Sequence, residues 1–350
     1  MRFSNILLLL DSGSGHALAL RRAVALARSE GAALTLCGVV NSIPARLQRK
    51  IVAITPSELT DIAITVEQER IEKLLGRIDA SDIVTNIKVL VGKPHLEIAR
   101  EVRLNRHDLV IKSITGRRAL RSLSARREDK ELLRNCPCPV WLVNTNDNKD
   151  SGCILAALDM PAEGTARGGL NEHIIEVATS IALAEFRELH FVHAWYLTGE
   201  GHMRSRGTAA ANLEIDRMIA REATKRMMWL QDAVNASSSD SDRIATDFLA
   251  PELHVIKGSP KNVVPDLAHK LGTGLIIMGT AARTGVSGLW LGNTSEKVLS
   301  RSDCSFLIVK KPAHLSSPES GDRTPLGPEN SPRDRGRVGH APAYFKPSSL

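Results

Sequence analysis

The stretch DLVIKSI (Asp108–Ile114) returns 166 residues later as GLIIMGT (Gly274–Thr280). Two further segments repeat at the same offset: VGKP (Val91–Pro94) as KGSP (Lys257–Pro260), and CPVWLVN (Cys138–Asn144) as CSFLIVK (Cys304–Lys310). An apolar run that ends in aspartate also occurs twice, as NILLLLD (Asn5–Asp11) and CILAALD (Cys153–Asp159). One offset shared by separate segments indicates an internal duplication of a unit of about 150 residues.

Each copy alternates short apolar runs with longer stretches of helical periodicity. In the first copy, HALALRRAVALARSE (His16–Glu30) places Ala23 and Leu26 on one helical face, and Gly31 follows where a helix C-cap is expected. Strands that alternate with helices predict right-handed crossovers and a mainly parallel sheet covered on both faces. We therefore predict an α/β fold of two tandem, doubly wound, five-stranded parallel-sheet domains.

The domain boundaries are predicted from where the repeated pattern starts and stops. The first domain is expected over residues 1–147 and the second over residues 151–312. Residues 313–350 are rich in Pro, Ser, Gly and Arg and lack apolar periodicity, which predicts a disordered tail. The final strand of each copy has an apolar edge that needs covering, so the two domains are expected to pair there as a pseudo-dimer.

Composition and charge limit the classes of protein to which this sequence can belong. The 350 residues are 43% hydrophobic and 24% charged with a net charge of +7, which is typical of a soluble globular protein. The N-terminal ILLLL run is stopped by Asp11, too early for a membrane span, and this predicts a cytoplasmic protein with reduced thiols. The basic stretch RRALRSLSARR (Arg117–Arg127) is interpreted as a solvated loop, with a site for phosphate-bearing partners as the alternative. The absence of interleaved aromatic residues argues against a nucleic-acid binder.

The sequence gives only weak signals for a metal site or a catalytic residue. Cys136 and Cys138 form CPCP, but no second ligand pair follows at zinc spacing, so no metal site is expected. His193 closes a predicted strand without a partnered nucleophile, and we expect it to be hydrogen-bonded locally rather than catalytic.

The most informative loop is MGTAARTGVSGLWLGNTSEKVL (Met278–Leu299), which follows an apolar strand. It is no P-loop, because Gly285 is followed by Val and Ser rather than Lys and Ser or Thr. Gly292 is expected at the start of the last helix, where backbone N–H groups favour an anion, with Asn293 as N-cap and Glu296 completing a capping box. Gly279 would let a ligand approach the backbone, and Arg283 would supply a counter-charge.

These residues resemble the universal stress protein family. The spacing from Gly279 through Ala282 to Gly292 and Asn293 is similar to the G-x2-G-x9-G-S/T pattern of its nucleotide-binding members. The second half also resembles the tandem E-type members, which carry MGTxGRTGI and GNTAExV. The likeness covers about residues 1–311, and HAW, KGSPKNVVPDLA and LLRNCPCPVWLV fit the same group.

The resemblance implies a cytoplasmic stress-response regulator or sensor rather than an enzyme, or at most a slow ATPase. It implies an ATP site, with Mg, in the second domain, where Asp159 lies near the adenine and Ala194 adds backbone contacts. Regulatory protein partners and a further homodimer are also expected from it. The residues implied around the ribose and phosphates are Met278, Gly279, Thr280, Gly292, Asn293 and Thr294.

Two departures leave alternatives open. Ala282 replaces the second glycine of the pattern, and Asn293 replaces its Ser or Thr. Three interpretations of the loop therefore stay open: a nucleotide site, a degenerate loop kept for helix capping and packing, or a site for another ligand such as a lipid or acyl chain. In the last two cases the protein would act as a nucleotide-independent scaffold or carrier. In the first half Ser113 stands in the place of Gly279 and only Gly116 remains, so no phosphate site is expected there.

Overall fold

The computed structural model describes residues 3–11, 16–42, 55–114, 127–145, 152–161, 169–236, 240–280 and 292–310. They form two successive β/α repeats. The first repeat comprises β1 (Asn5–Leu9), α1 (His16–Glu30), β2 (Ala33–Val40), α2 (Pro56–Leu75), β3 (Thr85–Val91), α3 (Pro94–Asn105), β4 (Leu109–Ile114), α4 (Arg127–Asn135) and β5 (Val140–Asn144). The second repeat comprises β6 (Ile154–Ala157), α5 (Leu170–Glu185), β7 (Leu189–Trp195), α6 (Glu200–Arg206), α7 (Ala209–Asn235), α8 (Asp240–Leu249), β8 (Glu252–Lys257), α9 (Pro260–Leu271), β9 (Leu275–Gly279), α10 (Asn293–Arg301) and β10 (Ser305–Val309).

All ten strands belong to one sheet, in the order β3-β2-β1-β4-β5-β10-β9-β6-β7-β8. Every pair of neighbours is parallel except β5 and β10, which meet antiparallel at the centre, with Trp141 opposite Leu307. The predicted doubly wound α/β fold is therefore confirmed, as is the predicted pairing of the two final strands. Both repeats lie within one compact unit.

Helices cover both faces of this sheet. Buried side chains of α1, α2, α5 and α7 form one apolar cluster against it, and those of α3, α4, α9 and α10 form the other. Inner strands such as β4 and β7 are buried along their whole length, whereas the outer strands β3 and β8 are only partly covered. This difference explains why inner strands such as β1 (NILLL) and β9 (LIIMG) read as nearly continuous apolar runs in the sequence.

Helix α1 buries the side chains that were predicted to lie on one face, and it ends at the predicted residue. Ala23 and Leu26 are fully buried, and Gly31 adopts a left-handed φ of +67°. The Ala32 N–H then donates to the Ala27 C=O at 2.8 Å, which closes the last turn. The glycine is needed here because other residues rarely adopt this φ.

The two repeats also meet through helices α1 and α5. Arg22 of α1 is buried at this contact, with Nε 3.3 Å from Glu185 Oε1 of α5. Its Nη1 donates to Ser305 Oγ at 3.0 Å, and its guanidinium lies over the ring of Trp141 at 5.7 Å. One cation therefore connects α1, α5, β5 and β10 at the junction.

Several predictions fall outside the described residues. They include most of the basic stretch, up to residue 126, and the tail 313–350. Among the helices that are described, none has the length and apolar character needed to cross a bilayer.

Candidate functional site

The candidate site lies where the strand order of the second repeat reverses. In the order β10-β9-β6-β7-β8, the first strand of the repeat (β6) neighbours the fourth (β9), and crossovers leave in opposite directions from these two. Ligands of doubly wound proteins bind beyond the carboxyl ends of the strands at this point. Asp159 follows β6 and Thr280 follows β9, so the sequence placed both residues at the correct edge.

Asp159 is held at the crevice by helix α5. The side chain of Asn171 donates from Nδ2 to the Asp159 C=O at 2.8 Å, and its Oδ1 accepts the Asp159 N–H at 3.3 Å. The Asp159 side chain is exposed. Asn171 was not singled out in the sequence, because a polar residue in the first turn of a helix is too common to signal this role.

The start of helix α10 differs from the prediction by one residue. Gly292 is the N-cap, with φ −63° and ψ 150°, and Asn293 is the first helical residue, so the predicted capping box is wrong. The physical reason is that the Glu296 carboxylate is taken by cations of α4 in the other repeat. Its Oε1 lies 3.5 Å from Arg134 Nη2 and 3.9 Å from Lys130 Nζ.

This geometry leaves the helix start without a side-chain cap from the described residues. The first intrahelical bond runs from the Glu296 N–H to the Gly292 C=O at 3.0 Å. The N–H groups of Asn293, Thr294 and Ser295 precede it and point out of the helix, where the helix dipole favours an anion.

The helix start is tied to the end of β9. Ser295 is buried, and its Oγ donates to the Gly279 C=O at 3.2 Å. Thr280 continues the strand pairing, since its N–H donates to the Val309 C=O at 3.1 Å. The two ends of the glycine loop are therefore brought together beside the crevice, while Ala282 and Arg283 lie outside the described residues.

Gly279 has a structural reason in addition to the predicted approach of a ligand. A Cβ at this position would lie 2.7 Å from Leu170 Cδ2 and 3.3 Å from Ile174 Cδ1. A larger side chain here would therefore press on helix α5, and the approach of a ligand to the backbone stays a prediction. Met278 is buried in the apolar cluster on the opposite face of the sheet, with α9 and α10.

His193 and Ala194 lie at the end of β7, beside Asp159, and both are buried. His193 Nδ1 is 3.1 Å from the Leu158 C=O, and Arg226 donates from Nη1 to His193 Nε2 at 2.9 Å. Since a guanidinium can only donate, Nε2 is the acceptor and Nδ1 carries the proton. Burial lowers the pKa of His193, and the charge of Arg226 lowers it further. The locally bonded histidine predicted from the sequence is confirmed.

Arg226 is a cation of this region that the sequence analysis missed. Its guanidinium lies over the Trp195 ring at 5.0 Å, and its Nη2 is 2.6 Å from Glu222 Oε1 one helical turn earlier. The spacing of Glu222 and Arg226 on α7 was the available signal, but such pairs are common on solvated helix faces.

The equivalent crevice of the first repeat is occupied by its own side chains. Lys112 forms an ion pair with Asp129 of α4 and has its Nζ 3.5 Å from Asp11 Oδ2. Ser113 Oγ lies 3.0 Å from His16 Nδ1. At the repeat offset, Lys112, Ser113 and Asp129 correspond to Met278, Gly279 and Ser295. A buried ion pair thus stands in the first repeat where the second has a thioether and a hydroxyl.

Among the described residues of the first repeat, this serine and histidine form no hydrolytic relay. His16 Nε2 is 3.8 Å from Asp11 Oδ1, which is too far for a hydrogen bond, and Ser113 is only 3% exposed. A substrate could not reach such a hydroxyl without displacing the packed side chains around it.

A groove of about 930 Å³ lies between helices α5 and α7 and reaches Met160 and Asn171, next to Asp159. Ile175, Met228, Trp229 and Ala233 supply much of its apolar lining. Charged residues also border it, namely Glu172, Arg221, Lys225 and Asp232. The groove combines an apolar surface with charges of both signs.

Comparison with known proteins identifies the family. The model of the universal stress protein family matches residues 2–144 and 169–310, which is most of the chain and both repeats. The chain is a member of the universal stress protein family.

Tandem relatives of this universal stress protein match it along nearly their whole length. It is 28% identical to universal stress protein E of Salmonella typhi and of Escherichia coli K12, over 91% of this chain and 98% of each relative. A solved structure, a putative universal stress protein from Pseudomonas aeruginosa UCBPP-PA14, is 25% identical with a TM-score of 0.58, covering 89% of this chain and 96% of that one. The predicted family and its tandem form are confirmed.

Membership of this family indicates a role in the stress response. Members of the family are in general not enzymes.

Proposed function

We propose that this universal stress protein binds an adenine nucleotide in the crevice of its second repeat and that the bound state is its regulatory signal. The observation that carries the proposal is the start of α10. Its free N–H groups are fixed by the Ser295–Gly279 hydrogen bond at the switch point, within the same crevice as Asp159.

The residues around the crevice fit the parts of ATP. The phosphates would lie on the N–H groups from Asn293 to Ser295, where the helix dipole offsets their charge. The adenine would lie between Asp159 and the end of β7 at Ala194. Mg²⁺ would enter with the phosphates rather than bind to a protein cage. The described crevice offers no arrangement that would activate a water molecule, so we expect hydrolysis to be slow or absent.

The test is a calorimetric titration of the full chain with Mg-ATP, for the wild type and for Gly292→Asp. The new carboxylate would lie at the phosphate position, so we expect micromolar binding in the wild type and none in the variant. Ser259→Asp is the matched control, because it puts the same charge at the start of α9, beside the outer strand β8. This control should bind ATP as the wild type does.

Two results would contradict the nucleotide proposal. One is the absence of both binding and co-purified nucleotide in the wild type, and the other is unchanged binding in Gly292→Asp. Phosphate release at enzymatic rates would contradict the regulatory mechanism but leave the site in place.

The groove between α5 and α7 supports a second candidate, a carrier of an acyl chain. Its apolar lining suits the chain, and Arg221 and Lys225 at its border suit an anionic head group. Ala233→Phe should fill the groove and reduce binding of a fluorescent fatty acid, whereas Ala210→Phe near the start of the same helix should not. Equal binding by the two variants would rule this candidate out.

We infer a cytoplasmic location from the cysteines. All five are buried and none forms a disulfide, which fits a compartment that keeps thiols reduced. Fractionation of cells that express the chain would test this, and recovery with the membrane or the medium would contradict it.

A further inference from the structure

Three side chains with metal-binding donors meet on one face of the neighbouring strands β7 and β8. His190 is the register partner of Glu252, and Val192 is the partner of His254. Because strand side chains alternate between faces, His190, Glu252 and His254 share the face that carries Val192 and Ile256, which is packed by α9. They lie near the amino ends of the strands, at the opposite edge of the sheet from the nucleotide crevice.

The separations of the donor atoms match a metal site. His190 Nδ1 is 3.1 Å from His254 Nε2 and 3.5 Å from Glu252 Oε2, and His254 Nε2 is 3.9 Å from the same oxygen. Three atoms with these separations have a common point about 2 Å from each, which is the usual length of Zn–N and Zn–O bonds. Within the described residues, this is the only group of three such side chains whose donor atoms lie within 4.8 Å of one another.

The surroundings of the three residues suit a bound cation with one open side. His190 is only 5% exposed, in a strand whose other members except His193 are apolar, while Glu252 is 70% exposed in its side chain. The cluster is thus anchored in the core and reachable from solvent. Imidazole nitrogens bind metals in their unprotonated form, and two of them lie here within 4 Å of one carboxylate oxygen.

A hydrogen bond between the two imidazoles is the simpler explanation for the 3.1 Å contact. It accounts for the histidine pair but not for the carboxylate that lies within 4 Å of both nitrogens. A cation accounts for all three, since it binds two neutral nitrogens and neutralises the carboxylate.

We propose that His190, Glu252 and His254 form a zinc-binding site at the edge of the second repeat. Two imidazoles and one carboxylate suit Zn²⁺, whereas Mg²⁺ and Ca²⁺ prefer oxygen ligands throughout. Three protein ligands leave the fourth tetrahedral position to water or to a group from outside the chain. The metal would fix the outer strand β8 to β7 through side chains, in addition to the backbone pairing.

The test is a Zn²⁺ titration of the metal-free full chain in competition with a chromophoric chelator. We expect one high-affinity site in the wild type and, in His254→Ala and Glu252→Gln, a loss of affinity of about a hundredfold or more, because even second-sphere changes cost 10–100-fold. His202→Ala removes an exposed histidine of α6 and is the matched control. It should bind Zn²⁺ with the wild-type affinity. Glu252 is largely exposed, so its variant should keep the fold, which circular dichroism of the metal-free protein would verify.

Cobalt substitution identifies the ligands. The proposal requires the visible bands of tetrahedral Co²⁺ without the near-ultraviolet band of a cobalt–thiolate bond. A thiolate band that disappears in Cys138→Ser would assign the metal to Cys136 and Cys138, whose Sγ atoms are 3.5 Å apart, and would overturn the proposal. Absence of a high-affinity site, or equal affinity in wild type and His254→Ala, would also overturn it. Because the site is far from the crevice, Mg-ATP binding in His254→Ala tests the nucleotide proposal independently.

Discussion

At the scale of single residues, the buried Lys112–Asp129 ion pair distinguishes the first repeat from the second, which has Met278 and Ser295 at these positions. Both side chains are less than a tenth exposed, so each charge is stabilised by the other, and Asp11 adds a second carboxylate 3.5 Å from Lys112 Nζ. Removing one member of a buried pair is costly because the remaining charge keeps its desolvation penalty, whereas replacing both with groups that pack well is often nearly neutral.

We therefore expect Lys112→Met to lower the free energy of unfolding by about 3–5 kcal/mol. The double variant Lys112→Met, Asp129→Ser copies Met278 and Ser295 of the second repeat and should recover much of this loss. Lys73→Met is the control: its lysine is 75% exposed and 3.7 Å from Glu69, and the change should cost less than about 1 kcal/mol. Urea denaturation measures all three. A loss in Lys112→Met no larger than in the control would show that the buried pair contributes no more than a surface pair.

The limits of sequence prediction at this scale follow from packing. Ser113 and the missing glycines correctly indicated a different crevice in the first repeat. The pairing of Lys112 with Asp129 was not predictable, because it depends on how α4 packs against β4, and no local pattern encodes that. Arg226 and Asn171 were missed because ion pairs on helix surfaces and polar residues in first helical turns are too common to signal a role.

At the scale of elements, two glycines that follow helices have different roles. Gly31, after α1, has φ +67°, and the space around its missing Cβ is open. Gly76, after α2, has φ −62°, and a Cβ there would come no closer than 3.4 Å to another atom. Backbone conformation alone therefore distinguishes the two positions.

We expect Gly31→Ala to cost about 1–2 kcal/mol, since an L-residue is strained in the left-handed region. Gly76→Ala should be neutral or stabilise by up to about 1 kcal/mol, because alanine adopts this φ without strain and restricts the unfolded chain. Thermal unfolding of the two variants provides the comparison. Equal destabilisation would show that steric contact, and not the sign of φ, sets the cost.

The helices and strands were predicted more accurately than the residues at which they begin and end. Apolar runs and helical periodicity located the strands and helices, and Gly31 marked the end of α1 correctly. The start of α10 was misplaced by one residue because Glu296, which would complete a capping box, binds cations of the other repeat. A local motif cannot indicate a competing partner that is distant in sequence.

At the scale of the whole molecule, the repeats are joined by the β5–β10 pairing and by Arg22. The pairing of these final strands was predictable from their apolar edges. The single continuous sheet was not, because it depends on the antiparallel orientation of one strand pair.

We expect the wild type to unfold in one cooperative transition, with tryptophan fluorescence and circular dichroism coinciding. Arg22→Ala should lower the free energy of unfolding by about 1–3 kcal/mol, because Ser305 loses a buried donor while Glu185 keeps its ion pair with Arg187. Arg28→Ala is the control on the same helix: its pair with Asp82 is about half exposed, so the loss of stability should be much smaller than in Arg22→Ala. Two separate transitions in the wild type would contradict cooperative joining of the repeats.

The antiparallel contact of β5 and β10 has a consequence for how the two halves can change. Two identical subunits that met along such an edge would be related by a twofold axis, and every substitution would appear in both sites at once. Within one polypeptide that constraint is lifted, so each half is free to mutate alone. Lys112 paired with Asp129 in one half, and Met278 and Ser295 at the matching positions of the other, record that freedom: a buried ion pair in one half corresponds to two uncharged side chains in the other.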